Sequence, residues 1–343
     1  MAAASQFIPR ASFPSLDFLP RSYFLGHHKA GLDKMKSRLS TIDLIIECRD
    51  YRVPISSQNP LFEDTLVGKD RLIVYTKRDL GSRGSVLDHA REKAIAQWLA
   101  PSSSSVLFSD IRELASVRKV LDFAREHMLR DSSLFGSNMM VVGMPNVGKS
   151  SLLNALRFKG VGKGKVAQTG GQPGVTRKLG TSVKILEHPH GEGGTYLIDT
   201  PGVFVPYVTD PETMLKLALC GCVKDSIVPS MILADYLLYH LNLQDSTLYS
   251  TYTVPTNDVE TLLTNIAIKT GRLQRQGIPD LEAAAIWLIQ RWRDGHLGKF
   301  VLDNTSQESL VNTDRSDAMK TSISHARSIA KEKKRVLGLA NQK

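Results

Sequence analysis

Gly143-Met-Pro-Asn-Val-Gly-Lys-Ser150 is the stretch that decides the fold. The run Asn138-Met-Met-Val-Val before it is apolar enough for a buried strand, and Ser151-Leu-Leu-Asn-Ala-Leu after it has helical spacing. A glycine-rich turn between a strand and a helix N-terminus points backbone N–H groups and the positive end of the helix dipole at phosphate. Lys149 would reach the β- and γ-phosphates and the Ser150 hydroxyl would hold Mg²⁺, with Asn146, Val147, Gly148 and Ser151 completing the cradle.

Working outward, Asp199-Thr-Pro-Gly202 follows the strand-like run Thr195-Tyr-Leu-Ile. A carboxylate at a strand end holds Mg²⁺ through water in this class, and Gly202 can offer its N–H to the γ-phosphate. Between the two motifs the chain from Lys159 to Lys178 is dense in glycine and lysine, with no apolar period. It reads as a switch loop whose Thr176 closes on Mg²⁺ in the triphosphate state. Upstream, Arg71-Leu-Ile-Val-Tyr delivers Thr76-Lys-Arg-Asp79 into a loop. The Asp79 carboxylate can accept from guanine N1–H and N2–H₂, which adenine does not offer, and the Lys77 stem can pack along the ring. Thr76 stands where asparagine is usual. Val106-Leu-Phe-Ser109-Asp110 supplies the next strand and its loop, with Ser109 at the base. Because the base-reading motif precedes the phosphate-reading one, the motif order is 4-5-1-2-3. The expected fold is α/β, a circularly permuted phosphate-loop GTPase domain followed by a C-terminal helical domain.

These motifs, together with Phe24-Leu-Gly-His27-His-Lys-Ala, Asp43-Leu-Ile-Ile-Glu-Cys-Arg-Asp50-Tyr-Arg-Val-Pro54 and Gly277-Ile-Pro-Asp280, resemble the YlqF/RbgA family of ribosome-assembly GTPases, nearest its mitochondrial ribosome-associated branch. The resemblance covers roughly residues 20 to 303, with Thr76 and His28 as departures. It implies GTP binding and hydrolysis, Mg²⁺, and large-subunit rRNA and proteins as partners. It further implies a mitochondrial matrix location with peripheral association to the inner membrane. Many GTPases place a water-orienting glutamine after the third motif, but Val203 and Phe204 follow here; the resemblance points to His27 as the catalytic group instead. A K⁺ ion held by Asn146 would add positive charge beside the phosphates. The alternative is an RNA- or protein-binding scaffold in which GTP is structural or regulatory.

The net charge of +10 over 343 residues fits RNA as a partner and leaves room for two domains. Three cysteines make a disulfide framework untenable, and Cys220-Gly-Cys222 reads as packing. No apolar run reaches the ~18 residues of a membrane span. The acid-free start, with Arg10 its lone charge, reads as a processed or partial targeting segment although Pro9, Pro14 and Pro20 interrupt any long helix. The expected divisions are 1–34, an N-terminal segment carrying His27; 35–205, the permuted G domain; 206–303, the helical domain; and 304–343, a polar and basic tail. Helical spacing is plain in Met214-Leu-Lys-Leu-Ala-Leu, from Ile227 to Leu243, and from Leu281 to Trp292.

Overall fold

The structure, a computed structural model, describes residues 7–14, 16, 19, 26–66, 68–102, 105–130, 136–167, 180–188, 193–204, 208 and 210–311. A six-stranded sheet is its organising layer, in the order β3-β2-β1-β4-β6-β5. The strands are β1 (Leu44–Asp50), β2 (Asp70–Thr76), β3 (Ser105–Phe108), β4 (Ser137–Gly143), β5 (Val183–Glu187) and β6 (Gly194–Asp199). All neighbours pair parallel except β5, which joins β6 antiparallel at the edge.

Both faces of the centre are covered, which is why β1 is buried along its whole length and β4 nearly so. Leu44, Ile46 and Cys48 face one way, with Met139 and Val141 beside them. They pack with Val117, Val120 and Leu121 of α5 (Leu114–Arg130) and with Leu152 and Leu156 of α6 (Lys149–Val161). Ile45, Met140 and Val142 face the other way, onto Leu32 and Met35 of α1 (Gly26–Arg38) and Phe62 of α2 (Pro60–Thr65), while α3 (Arg78–Gly81) and α4 (Val86–Leu99) follow β2. The alternation is the period of two that a strand imposes.

The helical part comprises α7 (Pro211–Leu219), α8 (Ser230–Gln244), α9 (Val259–Thr270) and α10 (Leu281–Arg293). Asp210, Asp258 and Asp280 cap three of these by accepting from backbone N–H groups of the first turn. Helix α8 starts at Ser230, later than the apolar spacing from Ile227 suggests, because Pro229 occupies the cap position. Sheet and helices share one continuous core, so α7, α8 and α10 are packed onto the nucleotide-motif domain. Trp292 is 1% exposed within it, and Trp287 packs edge-on to Tyr252 at 5.6 Å; both serve helix packing. Helix α1 runs across the expected division at 34/35 and belongs to the sheet's second face.

Residues 7–14, placed by composition in a targeting segment, lie along α8. Arg10 pairs with Asp235 at 2.6 Å, Phe13 stands edge-on to Tyr236 at 5.1 Å, and Asn257 donates to the Ile8 carbonyl at 2.9 Å. Most of the polar tail, residues 312–343, lies outside the described residues.

Candidate nucleotide-binding site

Five parallel strands end on one edge of the sheet, and each end carries a residue of interest: Asp50, Thr76, Phe108 with Ser109 beyond it, Gly143 and Asp199. The chain passes from β1 to β2 on one side, while β4 lies on the other, so the loops after β1 and β4 diverge. Ligands of open α/β sheets bind in such a crevice.

In the phosphate loop, Gly148 adopts φ 91° and caps α6. Lys149 is 6% exposed and folds back, donating from Nζ to the carbonyls of Met144 at 2.7 Å and Gly143 at 3.2 Å. Burial pushes its pKa down, with Asp199 opposing. Ser150 Oγ donates to Asp199 Oδ2 at 2.6 Å. Asp199 Oδ1 is buried and has no hydrogen-bond partner among the described residues. Burial raises the Asp199 pKa, against the Ser150 hydrogen bond and the Lys149 charge. An orphaned carboxylate oxygen beside a serine hydroxyl at a helix N-terminus is the donor set that a hydrated Mg²⁺ takes. Gly202 crosses the loop so closely that a Cβ there would sit 2.5 Å from Pro145 Cα, and the following N–H, of Val203, donates to Gly143 O at 3.2 Å.

The base motif is fastened to the same loop. The Thr76 hydroxyl donates to the Val147 carbonyl and has the Arg49 carbonyl 3.2 Å away. Lys77, at φ 57°, donates from Nζ to Asn146 O at 2.5 Å and to Asp50 Oδ2 at 2.9 Å. Asp79 is half-buried with Arg112 at 3.5 Å; burial and then the Asp110 charge raise its pKa, as befits an acceptor short of donors. Ser109 accepts at its carbonyl from Arg78 N–H at 3.2 Å, and its buried Oγ has no partner among the described residues. The structure therefore brings together Thr76, Lys77, Asp79, Ser109, Asn146, Val147, Gly148, Lys149, Ser150, Ser151, Asp199 and Gly202. Thr176 lies outside the described residues, as does the His27 side chain. His27 occupies the first turn of α1, one turn before Gly31, where an added Cβ would meet Pro201 of the third motif and Val203 just after it at 3.6–3.7 Å.

Three residues of the site, Asp50, Arg52 and Asn59, were given no role from the sequence. Asp50 is fully buried and ion-paired with Arg52 at 2.8 Å as well as with Lys77. Burial pushes its carboxyl up, and Arg52 followed by Lys77 more than reverses this, holding it well below the usual range. The Arg52 guanidinium stacks on Trp292 at 4.8 Å and approaches the Cys220 carbonyl at 3.5 Å. Asn146 donates from Nδ2 to Gly221 O at 2.8 Å, and Asn59 donates to Val203 O at 2.8 Å. The signal was present: Arg49-Asp-Tyr-Arg52 puts charges where a buried strand ends, and charges there need partners. The three thiols are buried, Cys48 pushed up to about 12 and Cys222 to about 11, so they pack as neutral groups.

Motifs in the order 4-5-1-3 along the described chain, meeting at the carboxyl ends of the five parallel strands of one sheet, define a circularly permuted phosphate-loop GTPase. A family model described as 50S ribosome-binding GTPase matches residues 138–255. Mitochondrial GTPase 1 of Schizosaccharomyces pombe is 37% identical over 310 residues, covering 85% of this chain and 92% of that one. Mitochondrial ribosome-associated GTPase 1 of Xenopus tropicalis is 36% identical over 312 residues, covering 84% and 97%. Among solved structures, GNP-bound YlqF from T. maritima matches with a TM-score of 0.52 at 20% identity, covering 80% of this chain and 97% of that one, which shows the fold. The chain belongs to the mitochondrial GTPase 1 family and is a GTPase.

Proposed function

We propose that this GTPase assists assembly of the large mitochondrial ribosomal subunit, binding it with GTP and leaving on hydrolysis. The observation that carries the nucleotide half is the orphaned Asp199 oxygen beside Ser150 and Lys149. The ribosomal half is supported by family membership and by the net charge of +10, which suits rRNA. The matrix, with the matrix face of the inner membrane as an attachment surface, is the compartment this reading implies. Among the described residues no helix is long and apolar enough to cross a membrane.

In this reading Asp79 takes the guanine edge, with Lys77 along the ring and Ser109 behind it. Gly148 and its neighbours cradle the phosphates, and Lys149 swings from its loop carbonyls onto the β- and γ-phosphates. Ser150, Thr176 and, through water, Asp199 would hold Mg²⁺, which neutralises charge on the phosphate oxygens. Val203 and Phe204 are buried and apolar, so neither orients water. His27, one helical turn before the Gly31 that lies against Pro201, accepts from the attacking water through its unprotonated ring nitrogen in this reading. Asn146 offers an amide oxygen to K⁺.

Sedimentation of the full chain with ribosomal subunits, with and without a non-hydrolysable GTP analogue, tests the function. Binding to the large subunit in the triphosphate state alone is expected; equal binding in both states would refute release on hydrolysis. His27→Ala should lower ribosome-stimulated kcat by about 10²-fold with GTP affinity nearly unchanged. Parent-rate turnover by that variant removes His27 from the chemistry. Equal rates in K⁺ and Na⁺ remove the cation role of Asn146.

A further inference from the structure

The cavity beside Asp79 has walls from two parts of the chain. It is about 500 Å³ in volume, with Thr76, Asp79 and Ser151 on the motif side and Arg293, Asp294 and His296 on the other. The second set lies where α10 ends. Gly295 stops that helix at φ 83°, its N–H donating to Trp292 O at 2.9 Å while the His296 N–H reaches back to Arg291 O at 2.9 Å. This closure turns the chain toward the base motif. A Cβ on Gly295 would lie 2.9 Å from Leu80 Cδ2, so the turn is seated directly on the helix that follows Lys77 (α3, Arg78–Gly81).

The seating is anchored on both flanks. Arg293 donates from Nε to Leu219 O at 2.9 Å and from Nη2 to Ala218 O at 2.8 Å, placing a cation on the carbonyl end of α7. It also pairs with Asp225 at 2.8 Å. Further on, Arg83 Nε donates to Lys299 O at 3.3 Å. Asp294 and His296 themselves are exposed, and one Asp294 oxygen is oriented by Gln290 Nε2 at 2.9 Å. Neither residue is needed for the core. A carboxylate and an imidazole held at the rim of a pocket, away from the phosphate loop's lysine, match a vicinal diol: carboxylates accept from ribose hydroxyls in other nucleotide sites.

We infer that the helical domain completes the nucleoside pocket, with Asp294 accepting from the ribose hydroxyls and His296 covering the sugar. The inference rests on the proposed placement of the guanine nucleotide and adds to it a wall from outside the G domain. It follows that GDP and GTP alike hold the α10 turn against the base motif, while the γ-phosphate is read separately at Gly202.

Calorimetry with the full chain tests this, using GDP and 2′,3′-dideoxy-GDP as probes against the parent, Asp294→Ala and His296→Ala. A hydrogen bond to a charged group is worth roughly tenfold, so the parent should bind GDP about tenfold more tightly than the dideoxy analogue. Asp294→Ala should lose that preference while binding the analogue as the parent does. His296→Ala should weaken both ligands several-fold. Amide exchange at 293–298 should slow in the parent when GDP is added. Equal affinity of the parent for GDP and the analogue overturns the ribose contact and leaves the nucleotide site standing. Retained preference in Asp294→Ala overturns the assignment of the carboxylate. If the parent binds no GDP, the underlying nucleotide reading fails, and this inference with it.

Discussion

Replacing Thr76 with valine isolates the tie between base motif and phosphate loop. Thr76 is 1% exposed, and its hydroxyl is the donor to the Val147 carbonyl, with the Arg49 carbonyl also in reach. Valine keeps the shape and removes the hydroxyl, so packing is conserved and a buried acceptor is left without its donor, at a cost of about 1–3 kcal/mol. For a domain of this size 1 kcal/mol moves the melting temperature by about 2–4 °C, so Tm should fall by roughly 2 to 12 °C. The tie does not involve nucleotide, so most of the loss should appear as stability. The remainder is misplacement of the Val147–Gly148 backbone, on the order of one hydrogen bond, or about fivefold in GDP affinity. Thr76→Ser keeps the hydroxyl and should restore most of both. Scanning calorimetry and GDP titration read the two quantities. If Thr76→Val melts and binds GDP as the parent does, Lys77 alone fastens the loop and the reasoning about Thr76 is wrong.

Asp199→Asn should lower Mg²⁺-dependent hydrolysis by about 10²-fold or more, as loss of a preorganised charge does. Its melting temperature should hold or rise, since burial disfavours the native carboxylate; an unchanged Mg²⁺ requirement in single-turnover assays would count against the metal role. His240, packed edge-on to Tyr236 at 4.5 Å, has its pKa lowered to about 4 by burial and then by Lys216. The unfolded chain therefore binds this proton first as pH falls through about 6.5, so stability is lost between there and about 4. Urea titrations should show that loss, and His240→Phe, which fills the site without an Nε2 that has no partner among the described residues, should flatten it; the same slope in both proteins would assign it elsewhere. Phe13→Ala should cost about 1–3 kcal/mol by removing a packed ring and its edge contact to Tyr236. An unchanged urea midpoint would mean that residues 7–14 do not dock on α8 in solution.

What was legible in the sequence is what obeys local rules. Arg71 to Tyr75, Val106 to Phe108, Asn138 to Val142 and Thr195 to Ile198 are apolar runs ending at a motif, and all four are strands of the sheet. Strand β1 escaped because Glu47, Arg49 and Asp50 lower its hydropathy, although the charges cancel within the fold: Glu47 pairs with Arg49 and Arg71, and Asp50 with Arg52 and Lys77. Glu47 with Arg49 and Asp50 with Arg52 stand two residues apart, but Arg71 and Lys77 come from the next strand and the residue after it, which a one-dimensional pattern does not bring alongside. The same holds for Asn146: its place in the motif was plain, whereas its donation to Gly221 depends on how the helical domain packs. Gly295 looks like any helix-ending glycine until Leu80 is seen against it.

Permutation gives these contacts their consequence. With the third motif at the end of the last strand in chain order, the chain leaves β6 through Gly202 and goes on to α7, so the segment proposed to read the γ-phosphate is also the tether of the helical domain. Two further contacts join the same bodies: Asn146 to Gly221 at the phosphate loop, and Arg52 on Trp292 behind it. A net hydrogen bond contributes about 1 kcal/mol and a desolvated cation–π pair about 2, so the nucleotide site holds a few kcal/mol of leverage over the docked helices. Coupling of that size shifts a two-state equilibrium by roughly 5- to 150-fold. Trp292, Phe300 and Leu302 meanwhile seat the helices in the core they share with the sheet, so contacts at the phosphate loop and at the α10 turn act on a helical domain that stays docked.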